Sequence, residues 1–471
     1  MRQISHIVPM KWMIGLNFED ASNTESAQIL GKLAVDSLLD DNLLYSIQIG
    51  NEPDLYAKHG VRKTEWGIED YTNEWMTWAT QLSHHYFDDN DKTTSSTTSK
   101  RRNIFTGGVI CCTWQLQDLL DSGYFERSKD LINSITVQKY SSNACFGVAK
   151  GDISDFTSHS WITSLPRTMY EEPAKIVIEN NKELIMGETN SAACRGIQGI
   201  SDTYVSALWS IDWQLFLYSI GFSSVELQLG GSTSHYNPMS KVGGSWIVNP
   251  IYYGSLVTAE ALGPSDAKPQ VVHIEVSSDS RAAYAIFHQQ ALKYIVLINL
   301  NPDEEAVFSL QSSFTESWWN NDENGDENNI LKVKRLTADS LQEKHVIQWA
   351  GQTLHGVSDG LLRGDIEIDQ VKCNDPNQCE ITLPKGSVAL VGQDFDEYHT
   401  TIIADHSFDV DDFLGVNNSY NHENNYNFTN PLRMAGTTTT SATTTTFILL
   451  PSITSLFISI SLVTYYMFII I

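Results

Sequence analysis

Leu44-Tyr45-Ser46-Ile47-Gln48-Ile49-Gly50-Asn51-Glu52-Pro53 and Glu183-Leu184-Ile185-Met186-Gly187-Glu188-Thr189-Asn190-Ser191 decide how this chain is read. In each, a short apolar run gives way to turn residues, and a glutamate stands at the change. Runs of this length bounded by turn formers read as strands buried on both faces, the pattern of a parallel sheet. Around them, Lys11 to Phe18, Asn103 to Ile110, Ile135 to Tyr140 and Ser223 to Leu229 read as further strands. Apolar residues at helical spacing mark helices over Ser26 to Leu39 (Ile29, Leu33, Leu38 and Leu39), Tyr71 to Tyr86, Thr168 to Asn180 and Thr203 to Ile220. Strands alternating with helices predict an α/β architecture.

After Gly263 the character changes. Short β-type runs separated by turns follow, from Val271 to Val276 through Val388 to Val391, as in a β-sandwich. The expected domains are a (β/α)8 TIM-barrel type catalytic unit over 1–263 and a β-sandwich over 264–396. A polar Ser/Thr/Asn-rich linker over 397–446 and a hydrophobic tail over 447–471 complete the chain. Asp88 to Asn103 and Trp318 to Asn329 read as loops.

The 471 residues carry a formal charge of −27. Such a chain repels phosphate backbones, so nucleic acid is excluded as a principal partner. The 12 tryptophans exceed what one small core needs, and flat rings also suit the apolar faces of sugars. Of the six cysteines, Cys373 and Cys379 bracket a short loop, and Cys145 and Cys194 follow strand ends; both pairs are disulfide candidates. The adjacent Cys111 and Cys112 read as buried thiols. No spacing resembles a metal site.

From Phe447 to Ile471 the chain has no charge. It is preceded by a Thr-rich spacer and, before that, by the small residues Ala435 and Gly436. That order is expected of a GPI-attachment signal, and a C-terminal transmembrane anchor is the alternative. The sequons at Asn417 and Asn427 are candidate glycosylation sites on the same secreted route. The expected location is the extracellular face of the plasma membrane or the cell wall, with contact to the membrane through the tail. No signal peptide opens the chain, and a single strand precedes that of Glu52 where a full barrel has three. The N-terminal β/α units are therefore expected to be missing from this chain.

Two glutamates at the ends of separate strands fit retaining glycoside hydrolysis. In that chemistry one carboxyl protonates the leaving oxygen and the other attacks the anomeric carbon, so their environments must hold different protonation states. Barrel enzymes place such groups at C-terminal strand ends. The stretches Gly50-Asn51-Glu52-Pro53-Asp54-Leu55-Tyr56, Gly187-Glu188-Thr189-Asn190-Ser191, Ser201-Asp202-Thr203 and Ala207-Leu208-Trp209 resemble glycoside hydrolase family 79. Pro250-Ile251-Tyr252-Tyr253-Gly254 and Ala259-Glu260-Ala261-Leu262-Gly263 resemble its barrel-to-β-domain junction. The family contains β-glucuronidases and is related to heparanases. The resemblance implies Glu52 as general acid/base, Glu188 as nucleophile, and Asn51 as a ligand of the sugar 2-hydroxyl. It also implies that Tyr140 holds the nucleophile. Arg195 is a candidate partner for a sugar carboxylate, and Tyr236 and Asn237 are candidate pocket residues. The implied substrate is an oligo- or polysaccharide bearing a glucuronic-acid-type sugar, with no metal or organic cofactor. A non-catalytic, surface-anchored carbohydrate-binding or wall-remodelling protein is the alternative.

Overall fold

The computed structural model describes residues 1, 10–22, 24–87, 103–311, 318, 330–373, 378–395 and 465–470. Its first half is a parallel sheet built in chain order. The strands are β1 (Met10–Leu16), β2 (Leu44–Ile49), β3 (Phe105–Ile110), β4 (Ile132–Gln138), β5 (Glu183–Thr189) and β6 (Ser224–Leu227), each hydrogen-bonded to the next. β2 and β3 are buried along their whole length, which is why they read as continuous apolar runs. Between the strands lie α1 (Glu25–Leu38), α2 (Ile68–Tyr86), the short α3 (Leu116–Asp121) and α4 (Tyr124–Ser128), α5 (His159–Glu179) and α6 (Tyr204–Ser219). A helix α7 (Ile251–Leu262) closes the series.

Three expectations are corrected. Ile29 and Leu33 are 63% and 60% exposed; α1 instead turns Ala27, Gly31, Ala34, Val35 and Leu38 inward. The small residues let it lie close to α2, where a Cβ on Gly31 would meet the Tyr86 ring. Helix α5 begins at His159, well before Thr168, and contains Pro166 and Pro173. Glu188 lies inside β5 rather than after it.

The second half begins with a hairpin, β7 (Met239–Val242) and β8 (Ser245–Val248). The β domain follows α7. Its larger sheet runs in the order β9 (Pro269–Ile274), β10 (Arg281–His288), β11 (Ala291–Asn299), β17 (Ser387–Gly392), β13 (Ile330–Ala338) and β14 (Ile347–Trp349), with β15 (Asp369–Lys372) also paired to β13. A two-stranded sheet of β12 (Ala306–Gln311) and β16 (Gln378–Leu383) lies over one face. Alternation divides the larger sheet. Ala283, Ala285, Ile295, Leu297, Ala389 and Val391 pack with Phe308, Leu310, Ile381 and Leu383. Their neighbours Tyr284, Ile286, Val296, Ile298, Val388 and Leu390 belong to the same core as α6 and α7.

Tyr465–Ile470 forms a strand, β18, parallel to β1 at the edge of the barrel sheet. An uncovered parallel edge presents unpaired backbone groups to any strand that reaches it. Asn417, Asn427, Ala435 and Gly436 lie outside the described residues. Among the described residues no helix is long and apolar enough to cross a membrane.

The two halves are joined by buried polar contacts. Glu260 of α7 accepts from Lys334 Nζ at 2.5 Å and from Trp349 Nε1 at 2.8 Å. Asp212 of α6 accepts from the Tyr284 hydroxyl at 2.5 Å and pairs with His159 Nδ1 at 2.9 Å. The other nitrogen of His159 lies 2.9 Å from His273 Nε2. Burial opposes charge on His159, but the Asp212 carboxylate outweighs it and raises the ring above its ordinary value. Burial, and then the charge of His159, lowers His273. The opposite shifts favour the proton on His159 as an imidazolium donating to a neutral His273.

Removing the Asp212 charge leaves that imidazolium without its carboxylate. Asp212→Asn is expected to destabilise the fold by about 3–5 kcal/mol. A raised histidine contributes fully below its ordinary value of 6.5 and loses its contribution as pH rises through the elevated one. The penalty is therefore larger at pH 6 than in alkaline buffer, as denaturant midpoints at the two pH values will show.

Candidate active site

Glu52 and Glu188 converge at the C-terminal ends of β2 and β5. The backbone at Glu52 is left-handed, with φ 47° and ψ 54°, an uncommon conformation for a residue with a side chain. It is held there by strand β3. A register shift between Gly108 and Ile110 bulges that strand, and Val109, itself at φ 58°, accepts the Glu52 N–H at 3.0 Å. Gly108 permits the bulge. Its φ is 84°, and a Cβ would come within 2.8 Å of the Thr136 carbonyl oxygen. Tyr71 of α2 donates to the Gly108 carbonyl at 3.0 Å and fixes the bulge from behind.

Glu188 is placed by the register of β4 against β5. Gln138 stands opposite Glu188, and Lys139 N–H donates to the Glu188 carbonyl at 2.9 Å. That pairing sets Tyr140 beside Glu188, where its hydroxyl donates to Glu188 Oε1 at 2.7 Å. Gln138 Nε2 donates to Asn51 Oδ1 at 2.7 Å, so the residue before Glu52 is tied to the strand before Glu188.

The two carboxyls have different electrostatic surroundings. Burial, then the Glu188 charge, then the Asp54 charge push Glu52 up to about 8. Burial raises Glu188 as well, but the Tyr140 hydrogen bond opposes it. Glu52 thus keeps its proton at neutral pH, while Glu188, raised by burial, is the carboxyl whose rise a hydrogen bond from Tyr140 opposes. The hydroxyl of Tyr140 is raised well above its ordinary value by burial and by the Glu188 charge, so it remains a donor.

Tyr236 joins this group. Burial and the Glu188 charge raise it to about 12, against the lowering influence of the neighbouring Ser234 and Tyr140 side chains. Arg195 is exposed but near enough to Tyr236 to oppose that rise. It belongs to a run of three left-handed residues, Cys194, Arg195 and Gly196. A Cβ on Gly196 would lie 2.8 Å from Ser201 and 3.1 Å from the Tyr236 ring. Asn237 is not free to serve as a ligand. Its Oδ1 accepts from Gly230 N and its Nδ2 donates to Gly231 O, so both ends of the amide hold its own loop.

The Cys145–Cys194 disulfide joins the loops that follow β4 and β5, and Ser142–Asn143 pairs in parallel with Ala192–Ala193 beside it. Cys373 and Cys379 are also joined, as their spacing predicts. Cys111 and Cys112, expected as thiols, are bonded to each other. They lie after the β3 bulge, where Asp54 gathers three backbone N–H groups, from Cys111, Cys112 and Thr113. Sequence reasoning missed Asp54, Gln138 and this disulfide. The available signals were polar residues at or just after strand ends and a Cys-Cys pair directly after a Gly-Gly-Val-Ile run.

Residues 283–390 match the sequence profile of the glycosyl hydrolase family 79 C-terminal beta domain. A β-glucuronidase from Neurospora crassa is 33% identical over 129 residues, 25% of this chain and 23% of that protein's length. A β-glucuronidase from Aspergillus niger is 23% identical over 415 residues, covering 81% of this chain and 73% of the relative. The solved structure of a 4-O-α-L-rhamnosyl-β-D-glucuronidase from Fusarium oxysporum 12S superposes with a TM-score of 0.64 at 20% identity. That match covers 83% of this chain and 79% of the other, and it establishes a shared fold.

Two outcomes follow from the site. A raised carboxyl contributes stability fully below its ordinary value of 4.5 and loses it as pH rises through about 8. Glu52→Gln should therefore raise the melting temperature relative to the parent at pH 8 and lose that advantage near pH 4.5. Tyr140→Phe removes the one hydrogen bond that lowers Glu188, so the acidic limb of any pH–rate profile should move to higher pH.

Proposed function

We propose that this chain, whose residues 283–390 match the glycosyl hydrolase family 79 C-terminal beta domain, is a retaining β-glycosidase of that family acting on glucuronic-acid-containing glycans. The observation that carries this reading is the unequal carboxyl pair: Glu52 is raised by burial and neighbouring charge, and Glu188 accepts a hydrogen bond from Tyr140 that opposes the effect of its own burial. Both named relatives, and the protein of similar fold, act on β-glucuronides by name.

In the proposed sequence, Glu188 attacks the anomeric carbon as the Glu52 proton moves to the leaving oxygen. A glycosyl ester on Glu188 results. Glu52, now a carboxylate, takes a proton from water as its oxygen attacks the same carbon. The ester breaks, Glu188 leaves as a carboxylate, and the β-configuration is retained. Asn51 is aimed at the sugar 2-hydroxyl by Gln138. Arg195, beside Tyr236, is the candidate counter-charge for the sugar carboxylate. Three disulfides among the described residues support an oxidising, secretory compartment, and a C-terminal lipid anchor fits that route.

Exposure to a 2-deoxy-2-fluoro-β-glucuronyl fluoride, followed by peptide mass mapping, tests the reading. An adduct on Glu188 is expected. An adduct on another residue, or turnover with inversion by NMR, overturns the mechanism. Glu52→Gln should lower kcat on a sugar leaving group by about 10²–10⁴-fold, the usual contribution of a general acid.

A further inference from the structure

We propose that the disulfide between the adjacent residues Cys111 and Cys112 is the wall on which the leaving sugar rests, a role that builds on the two-carboxylate reading above. The placement is direct. A Glu52 carboxylate oxygen and both cysteine Sγ atoms lie within 4.8 Å of one another. Glu52 delivers its proton to the glycosidic oxygen, so a surface this close to its carboxyl adjoins the first ring beyond the scissile bond. Cys112 is exposed and Cys111 is buried, so the pair is open to solvent on its Cys112 side, next to Glu52.

The bridge does not act as a staple. Disulfide stabilisation grows with the length of chain enclosed, and here the sequence separation is 1, against 49 for Cys145–Cys194. Nor do these three groups suit a metal, because cysteine ligates as a thiolate and these sulfurs are bonded to each other.

What the bridge does have is a rigid mount. Asp54 is 6% exposed, and its carboxylate accepts from Cys111 N at 3.1 Å, Cys112 N at 2.7 Å and Thr113 N at 2.7 Å. The Thr113 hydroxyl donates to the Asp54 carbonyl at 2.7 Å. A buried carboxylate committed to three consecutive backbone donors fixes the turn and the sulfurs it carries. Disulfide sulfur is polarizable and offers no proton. It therefore packs against the C–H face of a pyranose by dispersion without competing for the Glu52 proton.

The test compares two substrates on the full chain: β-glucuronyl fluoride, whose leaving group is a single atom, and a β-glucuronyl disaccharide. In a Cys111→Ala/Cys112→Ala variant, the ratio of kcat/KM for disaccharide over fluoride should fall by about tenfold, the scale of one lost apolar contact in a binding site. The loss should be carried by KM for the disaccharide. If that variant does not fold, the parent reduced with a phosphine and mapped for free Cys111 and Cys112 gives the same comparison. An unchanged ratio overturns the proposal while leaving the carboxylate mechanism standing. A parent that hydrolyses neither substrate and shows no adduct on Glu188 overturns the mechanism, and the wall falls with it.

Discussion

Glu52 and Glu188 share a single buried cleft, and the proposed chemistry needs one of them protonated and the other not. Burial alone would raise both and leave neither charged, because removing water penalises the ionised form of each. The difference comes from hydrogen bonds and charges that reach only one of them. Tyr140 donates to Glu188 and has no such contact with Glu52. Asp54 and Glu188 put negative charge around Glu52. Each device depends on strand register. A one-residue slip of β4 against β5 would turn Tyr140 away from Glu188.

The β domain acts on this site from a distance. Helix α6 is buried along nearly its whole length, packed both against the barrel strands and against the larger sheet of the β domain. Its Asp212 and the Glu260 of α7 bind groups from that sheet through short, buried hydrogen bonds. The barrel half thus has two supports, its own strands and a second sheet behind the helices. The contacts between halves are partly ionic, which makes the join sensitive to pH in a way that an apolar seam would not be.

The alternation of elements was legible because buried parallel strands must be apolar on both faces and their helices carry a one-sided stripe. Glu52, Glu188 and Tyr140 were legible because turn residues mark strand ends. Three things were not. The exposure of Ile29 and Leu33 was not legible because periodicity does not show that a Gly-Ala face packs closer than a bulky one. Strand β13 was missed because Lys332, Lys334 and Arg335 interrupt its apolar pattern, although Lys334 is buried against Glu260. The Cys111–Cys112 bond was missed because adjacent cysteines look the same as thiols or as a bridge until the backbone conformation is known. The strain at Glu52 and Val109 likewise leaves no mark in composition.

The Cys145–Cys194 bond, with the short parallel pairing beside it, makes one body of the loops following β4 and β5. In most barrel enzymes such loops lengthen and diverge separately, and each new chemistry arises by altering one at a time. Here an insertion in either loop displaces the other, along with the left-handed turn at Arg195. The evolutionary path open to this cleft is consequently narrow on the nucleophile side. Changes of sugar preference there would be inherited in pairs, while the loops on the Glu52 side are joined to one another by hydrogen bonds to Asp54 and from Gln138 rather than by a covalent bond.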